Sequence, residues 1–520
     1  MTKLQYFFSE TKNFLIGAEI VPSRGIIPLE HHDKISDFAE TLCQDDRVHW
    51  ISITDNAGGN PRLSPSFLGE MILQQGKSVI IHMTCKDGNR NSLESLAWMY
   101  ASEGLDNLLV MSGDYPVAGD RGTAQPVFDL DSVGLLSLLS DMNRGLRMYG
   151  RKPGSVVQLS PTEFFLGAVV SPFKLTEAEQ VMQYEKLELK IKAGAQFIIP
   201  QLGYDMRKFH ELKLFMDENK LNVPLIGNVY KLSGPVARLF HKGVIPGCIV
   251  SDSLMEKVEK EKKSPDKGKA FFIDLAAKQI VTFKGMGYRA AYLCGIENHR
   301  DFDDVLEKAK EYETSDWKYF IPELLYPNSG EFFYYGKDEK TGLSDSSVRN
   351  VRPGAGDRRK YRKYVSPAYR FSRIVHSLIF SKRSLFYQSR VNSYKFLEKH
   401  KTLNKLSYNF ERAAKSLMFN CHECGDCSLS DIKYLCPQSQ CAKNQRNGPC
   451  GGSLNNMCEA FPEKTCIWVK AYGRQRYFRE KTTLLDRDPI IKDNSLKNTS
   501  GWANYFLGRD HQAEKHRFND

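Results

Sequence analysis

The sequence predicts an α/β protein, a (β/α)8 (TIM) barrel followed by a helical, cysteine-rich, metal-binding C-terminal domain. From residue 14 to about residue 295, short apolar runs alternate with amphipathic helical stretches. Most of these runs are nearly continuous in apolar residues, as strands covered on both faces are. Eight such strands with intervening helices over roughly 300 residues are typical of this barrel. Eight of the twelve cysteines lie between Cys421 and Cys466 and indicate the second domain.

The eight predicted strands follow one another at intervals of a few tens of residues. They are Phe14–Ile20, Trp50–Thr54, Ser78–Thr84, Asn107–Ser112, Phe164–Val170, Phe197–Gln201, Pro224–Val229 and Ala290–Cys294. Polar residues stand at or just after the C-terminal ends of most of them. They are Glu19, the stretch Thr54–Asn56, His82, Asp114, Gln201, Asn228 and Tyr230. A single such residue is more often a turn or a cap, but these ends meet at one barrel mouth, so their convergence predicts an active site.

The length of 520 residues predicts more than one domain, because a single core stops growing at about 250–300 residues. We expect the barrel over 1–305, a linker and helical extension over 306–400, the cysteine-rich domain over 401–480 and a polar, poorly packed tail over 481–520. Lys337–Asp357 is polar and glycine-containing, which indicates a linker or exposed loop. Apolar residues at near-helical spacing, from Leu403 to Leu417, predict an amphipathic helix that leads into Cys421 and packs along its apolar stripe.

Composition and charge exclude several classes of protein. A hydrophobic fraction of 41% with 26% charged residues is ordinary for a soluble globular protein. The sequence shows no apolar run of membrane-spanning length and no signal-peptide core, so a cytoplasmic protein without a transmembrane segment is expected. The net charge is +11, with a dense basic run from Arg358 to Lys363. No nucleic-acid-binding signature accompanies this run, which favours a solvated linker over nucleic acid and leaves the docking of an acidic electron-transfer partner as a third option.

The cysteine-rich stretch predicts a metal site. Its candidate ligands are Cys421, Cys424, Cys427, Cys436, Cys441, Cys450, Cys458 and Cys466. The first three, followed by Cys436 and Pro437, resemble a ferredoxin-like ligand run with a lengthened last gap. An iron–sulfur cluster of the 4Fe–4S type is favoured, structural zinc is the alternative, and a disulfide framework is disfavoured in a long chain without a signal peptide. The spacing leaves open whether the eight thiols hold one cluster or two.

The sequence also limits how a cofactor could be held. It contains no Walker A motif, and no G-x-G-x-x-G motif follows a predicted strand. A cofactor would therefore not lie in a Rossmann crevice. A barrel mouth can instead cradle a flavin with loop backbone amides and basic side chains.

Several segments carry a family resemblance. They are GAEIVPSRG (17–25), SITDNAGGNPRLSP (52–65), HMTCKDGNRNSLES (82–95), LLVMSGDYP (108–116), KIKAGAQFIIPQLGYD (190–205) and PLIGNVY (224–230). Together they resemble methylenetetrahydrofolate reductase, a family of flavin-dependent (β/α)8 enzymes of one-carbon metabolism. Residues 317–480, with CHECGDC, NGPCGG and CEAFPEKTCIW, resemble the cysteine-rich domain found beside this reductase in some bacteria, either fused or as a separate subunit.

The resemblance implies roles for single residues. Glu19 would be the general acid that protonates folate N10, and its partly shielded place near a strand end suits a raised pKa. An ion pair with Arg24 is the alternative for this carboxylate. Asp114 would be the second catalytic residue, lying beside the flavin and the folate pterin, where a negative charge disfavours the anionic reduced flavin. The remaining implied contacts are Thr54, His82, Gly113, Asp114 and Lys190 for the flavin, and Gln201 and Tyr230 for folate or nicotinamide.

Two positions depart from the family pattern. Ser112 stands where better-known members place an arginine, just before the Gly-Asp pair, and Gln183 stands where an acidic residue is expected. Both positions bear on how the flavin is held. FAD is the expected cofactor, and these two departures leave FMN open as the alternative.

The activity that the resemblance implies is reduction of 5,10-methylenetetrahydrofolate to 5-methyltetrahydrofolate by hydride from the reduced flavin. Electrons could come through the iron–sulfur domain from ferredoxin or a partner flavoprotein, besides or instead of NADH or NADPH. The alternatives are an NADH-linked reductase with a structural zinc domain, a folate-binding subunit without activity, and a corrinoid-linked methyl-transfer protein on the same barrel. A homo-oligomer is expected.

Overall fold

The computed structural model describes residues 1–27, 34–116, 122–149, 152, 155–245, 247–351, 358–480 and 483–513. The strands are β1 Leu15–Ile20, β2 Trp50–Ile53, β3 Ser78–Thr84, β4 Asn107–Met111, β5 Arg147–Tyr149, β6 Val156–Gln158, β7 Phe165–Val170, β8 Phe197–Pro200, β9 Ile226–Tyr230, β10 Ala290–Cys294, β11 Tyr335–Lys337 and β12 Ser344–Arg349. The end of the expected linker, residues 352–357, and parts of the expected tail, residues 481–482 and 514–520, lie outside this described set.

Eight of these strands form one parallel sheet in the order β8-β7-β4-β3-β2-β1-β10-β9. A further parallel bridge pairs Ile198 of β8 with Leu225, the residue just before β9, so the sheet curls into a nearly closed barrel. The predicted (β/α)8 barrel is confirmed, and each predicted strand coincides with an observed one to within two residues. The apolar runs are buried on both faces, as parallel strands surrounded by helices are.

The inside of the barrel is filled by large side chains, and an N-terminal helix, α1 (Lys3–Glu10), closes one end. Phe8 of this helix has its ring centroid 5.7 Å from that of Trp50 and 6.1 Å from that of Phe197. Glycines in neighbouring strands make room for these rings, because a Cβ atom on Gly17 would lie 2.0 Å from the Trp50 ring. The barrel is therefore a packed core that opens only at the C-terminal ends of its strands.

The remaining helices surround the barrel and build the C-terminal part. Around the barrel lie α2 Lys34–Gln44, α3 Pro65–Gln74, α4 Arg90–Ser102, α5 Ser132–Met142, α6 Glu177–Lys192, α7 Met206–Glu218, α8 Gly234–His241, α9 Asp252–Glu261, α10 Lys269–Gly285 and α11 His299–Lys310. Beyond it lie α12 Trp317–Phe320, α13 Arg358–Tyr361, α14 Pro367–Val375, α15 Tyr387–Lys399, α16 Lys401–Phe419, α17 Pro437–Gln440, α18 Ile467–Phe478 and α19 Gly501–Phe506. Among the described residues, no helix combines the length and apolar character needed to cross a membrane.

The C-terminal part packs directly on the barrel through a shared hydrophobic core. Met182 and Leu189 of α6 lie in one buried cluster with Trp468 and Tyr472 of α18. Tyr472 also donates a 2.6 Å hydrogen bond from its hydroxyl to the carboxylate of Glu177. The helical, cysteine-rich C-terminal part predicted from the sequence is thus present and is docked on the outer face of α6.

Two expectations for the C-terminal part are wrong. The tail is not poorly packed over 483–513, because Leu484, Ile490 and Phe506 are each at most 5% exposed. The predicted loop from Lys337 contains an antiparallel hairpin, since Lys337 pairs with Ser344 across β11 and β12. Sequence polarity was misleading in both cases because a few apolar residues are enough to anchor a polar segment on an existing surface.

The helix predicted to lead into Cys421 is present as α16, but its apolar stripe is not packed. Leu406 is 67% exposed, Phe410 69% and Leu417 89%. The buried positions on α16 are instead the charged residues Glu411 and Lys415. The expectation that the stripe packs against the chain's own core is therefore wrong.

Candidate functional site

Three inward-facing side chains from three barrel strands meet at the barrel mouth. The Tyr292 hydroxyl of β10 donates a short hydrogen bond to the carboxylate of Glu19 on the adjacent β1. The same hydroxyl lies 3.5 Å from Nε2 of His82 on β3. Alternation along a strand sends every second side chain inward, which is why each of these residues faces the barrel interior.

Burial shifts the pKa values of Glu19 and His82 in opposite directions. Loss of hydration raises the pKa of the Glu19 carboxyl above its usual range, and the Tyr292 hydrogen bond opposes this rise only in part. Burial also lowers the pKa of His82 to about 4, so its imidazole is neutral near pH 7. The arrangement therefore places a carboxyl group of raised pKa beside a neutral ring and a hydroxyl, and a raised pKa is what a general acid working near neutral pH requires.

Tyr292 is a site residue that the sequence analysis missed. It lies two residues after Ala290 and two before Cys294, so strand alternation alone places all three on the inner face of β10. A tyrosine at that position was a usable signal. Its place in the middle of β10 separates it from the polar residues at the strand ends, which are what the barrel topology marks as a site.

Asp114 is held at the rim by the loop that follows β2. Its carboxylate accepts a 2.8 Å hydrogen bond from the backbone N–H of Gly58, which follows β2. Gly113 before it has a φ of 82°, and a Cβ atom there would lie 3.0 Å from both the Cβ of Thr84 and the Cδ of Lys86. Glycine is thus needed at this turn both for its left-handed backbone and for the close packing on β3.

Thr54, Gln201 and Tyr230 also lie at strand ends. The buried hydroxyl of Thr54 has no hydrogen-bond partner among the described residues, as a group reserved for a ligand would. The Gln201 side-chain oxygen accepts a 3.0 Å hydrogen bond from the N–H of Leu202. The Tyr230 ring stands edge-on to Phe240, with centroids 5.3 Å apart, and its hydroxyl pKa is raised by burial and by nearby Cys294 and Glu19.

Lys190 is placed differently from the other predicted site residues. Its Nζ donates a 2.5 Å hydrogen bond to the backbone carbonyl of Val169 on β7. Burial lowers the pKa of Lys190 to about 7, and the nearby charge of Lys186 acts in the same direction. The structure therefore does not bring Lys190 into the group formed by Glu19, His82 and Tyr292.

A segment of the C-terminal part forms one wall of the mouth, and the sequence analysis missed it. We call residues 443–453 the mouth wall. Its Lys443 Nζ donates a 2.8 Å hydrogen bond to the carbonyl of Gly113 and forms a buried ion pair with Glu459. Ser112, at the end of β4, donates a 3.3 Å hydrogen bond from its hydroxyl to Gln445 Oε1.

The barrel side of this contact is supplied by buried lysines. Lys186 Nζ donates to Gln445 Oε1 at 2.9 Å and to the carbonyl of Gly448 at 3.2 Å. Lys174 Nζ donates to the carbonyl of Ser453 at 2.9 Å. The mouth wall thus contacts the loop and strand end that carry Ser112, one of the two positions at which the sequence departs from its family's pattern.

The eight clustered cysteines form two groups of four. The outer quartet comprises Cys421, Cys424, Cys427 and Cys436. Burial raises the pKa values of Cys421 and Cys427, and the nearby thiols of Cys424 and Cys436 add to the rise. The inner quartet comprises Cys441, Cys450, Cys458 and Cys466, which line one small cavity. Burial raises the pKa of Cys441 to about 12, with nearby Cys450 and Cys458 adding to the rise. All twelve cysteines of the chain are free thiols.

The spacing of the sulfurs bears on which metal fits. Among the described residues, no three cysteine sulfurs lie within 4.8 Å of one another. Four thiolates on one zinc ion, each about 2.3 Å from the metal, stand about 3.8 Å apart. The sulfurs are thus not drawn together as the four ligands of one zinc ion are.

The inner quartet is linked to the barrel mouth through one residue. The backbone N–H of Gln445 donates to the Cys441 sulfur at 3.5 Å, while its side chain accepts from Ser112 at 3.3 Å. A metal centre at the inner quartet would therefore lie beside the end of β4. The loop that carries Gly113 and Asp114 begins at this same point.

Comparison with known proteins identifies the family of each part. Residues 5–310 match the family model described as "Methylenetetrahydrofolate reductase", and residues 400–494 match "Methylene-tetrahydrofolate reductase C terminal". The chain is 22% identical over 284 residues to "Methylenetetrahydrofolate reductase 2" of Schizosaccharomyces pombe. That match spans 52% of this chain and 42% of the yeast protein, so the chain covers less than half the length of this curated relative.

Two solved structures illustrate the likeness of the barrel. A protein from Clostridium thermocellum, described as binding two copies of 5-methyl-5,6,7,8-tetrahydrofolic acid, is 14% identical with a TM-score of 0.42, covering 60% of this chain and 98% of its own. An oxaloacetate acetylhydrolase is 12% identical with a TM-score of 0.33, covering 59% and 84%. The family assignment depends on the family models, of which the first matches more than half of the chain. With its barrel and its cysteine-rich part each matched in order, the chain belongs to the methylenetetrahydrofolate reductase family.

Proposed function

We propose that the protein is a flavin-dependent reductase that converts 5,10-methylenetetrahydrofolate to 5-methyltetrahydrofolate. The observation that carries this proposal is the Glu19 carboxyl, held by Tyr292 above a neutral His82 with its pKa raised by burial. The matched family supports the choice of substrate. A carboxyl of raised pKa at the mouth of a barrel suits a reaction that needs an acid close to neutral pH.

Glu19 would supply the proton in this reaction. Its carboxyl would deliver a proton to N10 of the substrate, which opens the five-membered ring and leaves an electrophilic one-carbon unit. Tyr292 fixes the position of the carboxyl through its hydrogen bond and so keeps the acid directed into the mouth. The neutral His82 adds no positive charge that would favour the carboxylate form.

A flavin fits the residues on the other side of the mouth. Reduced flavin, when bound, supplies a hydride to the one-carbon unit. The unpartnered Thr54 hydroxyl could donate to such a ring, and the glycine turn at Gly113 lets a flat ligand approach the backbone closely. Asp114, fixed by Gly58, would contact both the flavin and the pterin. FAD is the proposed cofactor. FMN is the alternative, because Ser112, one of the positions that bear on how the flavin is held, contacts Gln445 of the mouth wall.

The two cysteine quartets are proposed to hold iron–sulfur clusters that pass electrons toward the mouth. Three cysteines at successive two-residue gaps, Cys421, Cys424 and Cys427, support a cluster over a single zinc ion. The link through Gln445 supports the inner quartet as the group nearest the barrel. Ferredoxin or a flavoprotein would be the electron donor, with NADH or NADPH as the alternative. Iron and zinc analysis of anaerobically purified protein separates the cluster proposal from a structural zinc domain.

The acid assignment is tested by replacing Glu19 with glutamine. Glu19→Gln keeps the shape and the Tyr292 contact but removes the proton, so we expect flavin content to stay unchanged. We expect the rate at which methylenetetrahydrofolate reoxidises the reduced flavin to fall by about 10²–10⁴-fold, the usual contribution of a general acid. The measurement is stopped-flow absorbance of the flavin under anaerobic conditions.

The matched control is Glu256→Gln, which alters an exposed carboxylate on α9 and should leave this rate unchanged. Reoxidation by folate at the native rate in Glu19→Gln would show that another group donates the proton. Failure of the unaltered protein to bind flavin at all would remove the reductase proposal itself.

A further inference from the structure

The chain concentrates its positive charge in one region of the C-terminal part. Residues 358–420 contain 16 lysines and arginines but only 2 acidic residues, a net charge of +14. The whole chain has a net charge of +11, so the rest of the molecule is slightly acidic. Most of these basic side chains are exposed on α13 to α16. A field of this size attracts anionic partners over a distance of about 10 Å at ordinary ionic strength.

The same region exposes large apolar side chains. Those at least 45% exposed are Phe371, Ile374, Leu378, Leu385, Phe386, Phe396, Leu403, Leu406, Phe410 and Leu417. We call this set, with the basic residues around it, the basic apolar face. Scattered apolar residues need no explanation, but a concentration of this kind, surrounded by charge, is typical of a surface that another molecule covers.

A cavity of about 400 Å³ opens on the basic apolar face. Its walls come from α14, α15, α16 and α19, and Phe371 and Phe410 belong both to its lining and to the exposed set. Aromatic rings of Tyr394 and Trp502 form much of the remaining wall. Such a cavity can receive apolar side chains of a docked protein, as binding hot spots do.

The outer quartet adjoins this cavity through one of its members. Cys427 is part of the cavity lining, and α16 ends at Phe419, two residues before Cys421. The buried ammonium of Lys415, also in the lining, donates a hydrogen bond to Glu411 and lies near the thiols of Cys427 and Cys421. The cavity on the basic apolar face therefore reaches a candidate metal ligand.

We propose that the basic apolar face is the docking surface for an acidic electron-carrier protein, which delivers electrons at the outer quartet. This proposal depends on the proposed function, since it names the partner of that reductase. Each encounter transfers one electron, so the carrier is oxidised by one electron as the chain is reduced by one. Two encounters, together with one proton from solvent, supply one hydride equivalent. The carrier's acidic rim meets the lysines and arginines, and its apolar side chains enter the cavity.

The observations favour this occupant over two others. A second copy of the chain would bring together two faces of net charge +14, which repel each other. An anionic membrane would be attracted by the charge, but a flat bilayer does not require a concave cavity with a cysteine of the outer quartet in its lining. An acidic redox protein accounts for the charge, the cavity and the position of the quartet together.

The test measures binding of oxidised bacterial ferredoxin to the full-length protein, purified anaerobically, by isothermal titration calorimetry. We expect binding that weakens at least tenfold between about 50 and 300 mM salt, because the attraction is electrostatic. Lys401→Glu/Lys405→Glu should weaken it at least tenfold at low salt. Phe410→Ser should weaken it several-fold without changing the salt dependence. These residues are exposed, so the folded structure should persist, as melting temperature and iron content can verify.

The matched control is Lys262→Glu/Lys263→Glu, an equal charge change on exposed residues beyond α9 of the barrel, which should bind ferredoxin as the native protein does. Equal affinity in the native protein and in both face variants would overturn the proposal. The proposal would also be overturned if the face variants lost binding to phosphatidylglycerol vesicles but kept their affinity for ferredoxin. That result would assign the face to a membrane. A dimer that Phe410→Ser dissociates, with ferredoxin binding unchanged, would assign it to a second copy.

The docking surface and the proposed function fail in different ways. Bleaching of the bound flavin by 5-methyltetrahydrofolate reports the reductase site without any protein partner. Retained bleaching with no ferredoxin binding overturns the docking surface alone. Retained ferredoxin binding with no bleaching overturns the reductase proposal and leaves a redox protein with another substrate.

Discussion

Two opposing effects act on the pKa of the Glu19 carboxyl in the barrel mouth. Burial raises the pKa of Glu19, and the hydroxyl of Tyr292 partly offsets this rise by stabilising the carboxylate. The acid is active while it is protonated, so the folate half-reaction should slow as the pH rises through the pKa of Glu19. The alkaline limb of the rate profile therefore reports this residue.

Removing the hydroxyl should move this limb in a defined direction. In Tyr292→Phe the carboxylate loses a stabilising hydrogen bond, so the pKa of Glu19 rises and the alkaline limb moves to higher pH. The rate on the acid plateau should fall about tenfold, because the carboxyl is no longer held in place. Flavin reoxidation by methylenetetrahydrofolate, measured across pH, checks both effects. A limb that stays in place or moves to lower pH would show that Glu19 is not the titrating acid.

Among the elements, α16 shows the largest difference between the sequence prediction and the structure. Its helical periodicity was predicted correctly, but the stripe from Leu403 to Leu417 faces outward. Periodicity shows which residues share a face, and it does not show what lies opposite that face. The strands were easier to predict, because a short run that is apolar on both faces must be buried on both faces, as a strand of a barrel is.

The exposure of this stripe leads to a stability prediction for the isolated protein. Leu417→Ser should change the free energy of unfolding by less than about 0.5 kcal/mol, since Leu417 is 89% exposed. Phe506→Ala on α19 should cost about 3–5 kcal/mol, since Phe506 is 4% exposed and its ring lies 5.3 Å from that of Tyr394. Urea unfolding of each variant gives the comparison. A large loss of stability in Leu417→Ser would mean that the Leu417 side chain is packed against another surface and is not exposed.

For the whole molecule, the mouth wall carries an ion pair beside its contact with the barrel. Lys443 donates to the Gly113 carbonyl of the barrel and pairs with Glu459, which belongs, like Lys443, to the C-terminal part. Lys443→Met leaves the largely buried Glu459 carboxylate without its partner, so we expect a loss of about 3–5 kcal/mol in stability. Adding Glu459→Met should restore much of this loss, because an apolar pair has no unpaired charge. Lys464→Met, at an exposed lysine of the same part, is the control and should have little effect. If the single and double variants are equally unstable, the unpaired carboxylate is not the source of the loss.

The sequence was sufficient for the barrel and for most residues at its mouth, but not for the mouth wall. Glu19, His82 and Asp114 were identifiable because strand ends of a barrel meet at a place that topology fixes. The contact between Gly113 and Lys443 joins residues 330 positions apart, and nothing in the local pattern of either segment indicates it. Grouping of the cysteines into an outer and an inner quartet likewise depends on how the chain folds around them, which spacing alone leaves open.

The position of the mouth wall also sets the order in which the site can be built during synthesis. The barrel strands end at Cys294, but the wall that touches Gly113 lies about 150 residues later, beyond the outer quartet. One side of the mouth is therefore missing until the cysteine-rich part has been synthesised. Completion of the mouth thus waits on the last third of the chain, and a product truncated before residue 443 lacks the mouth wall.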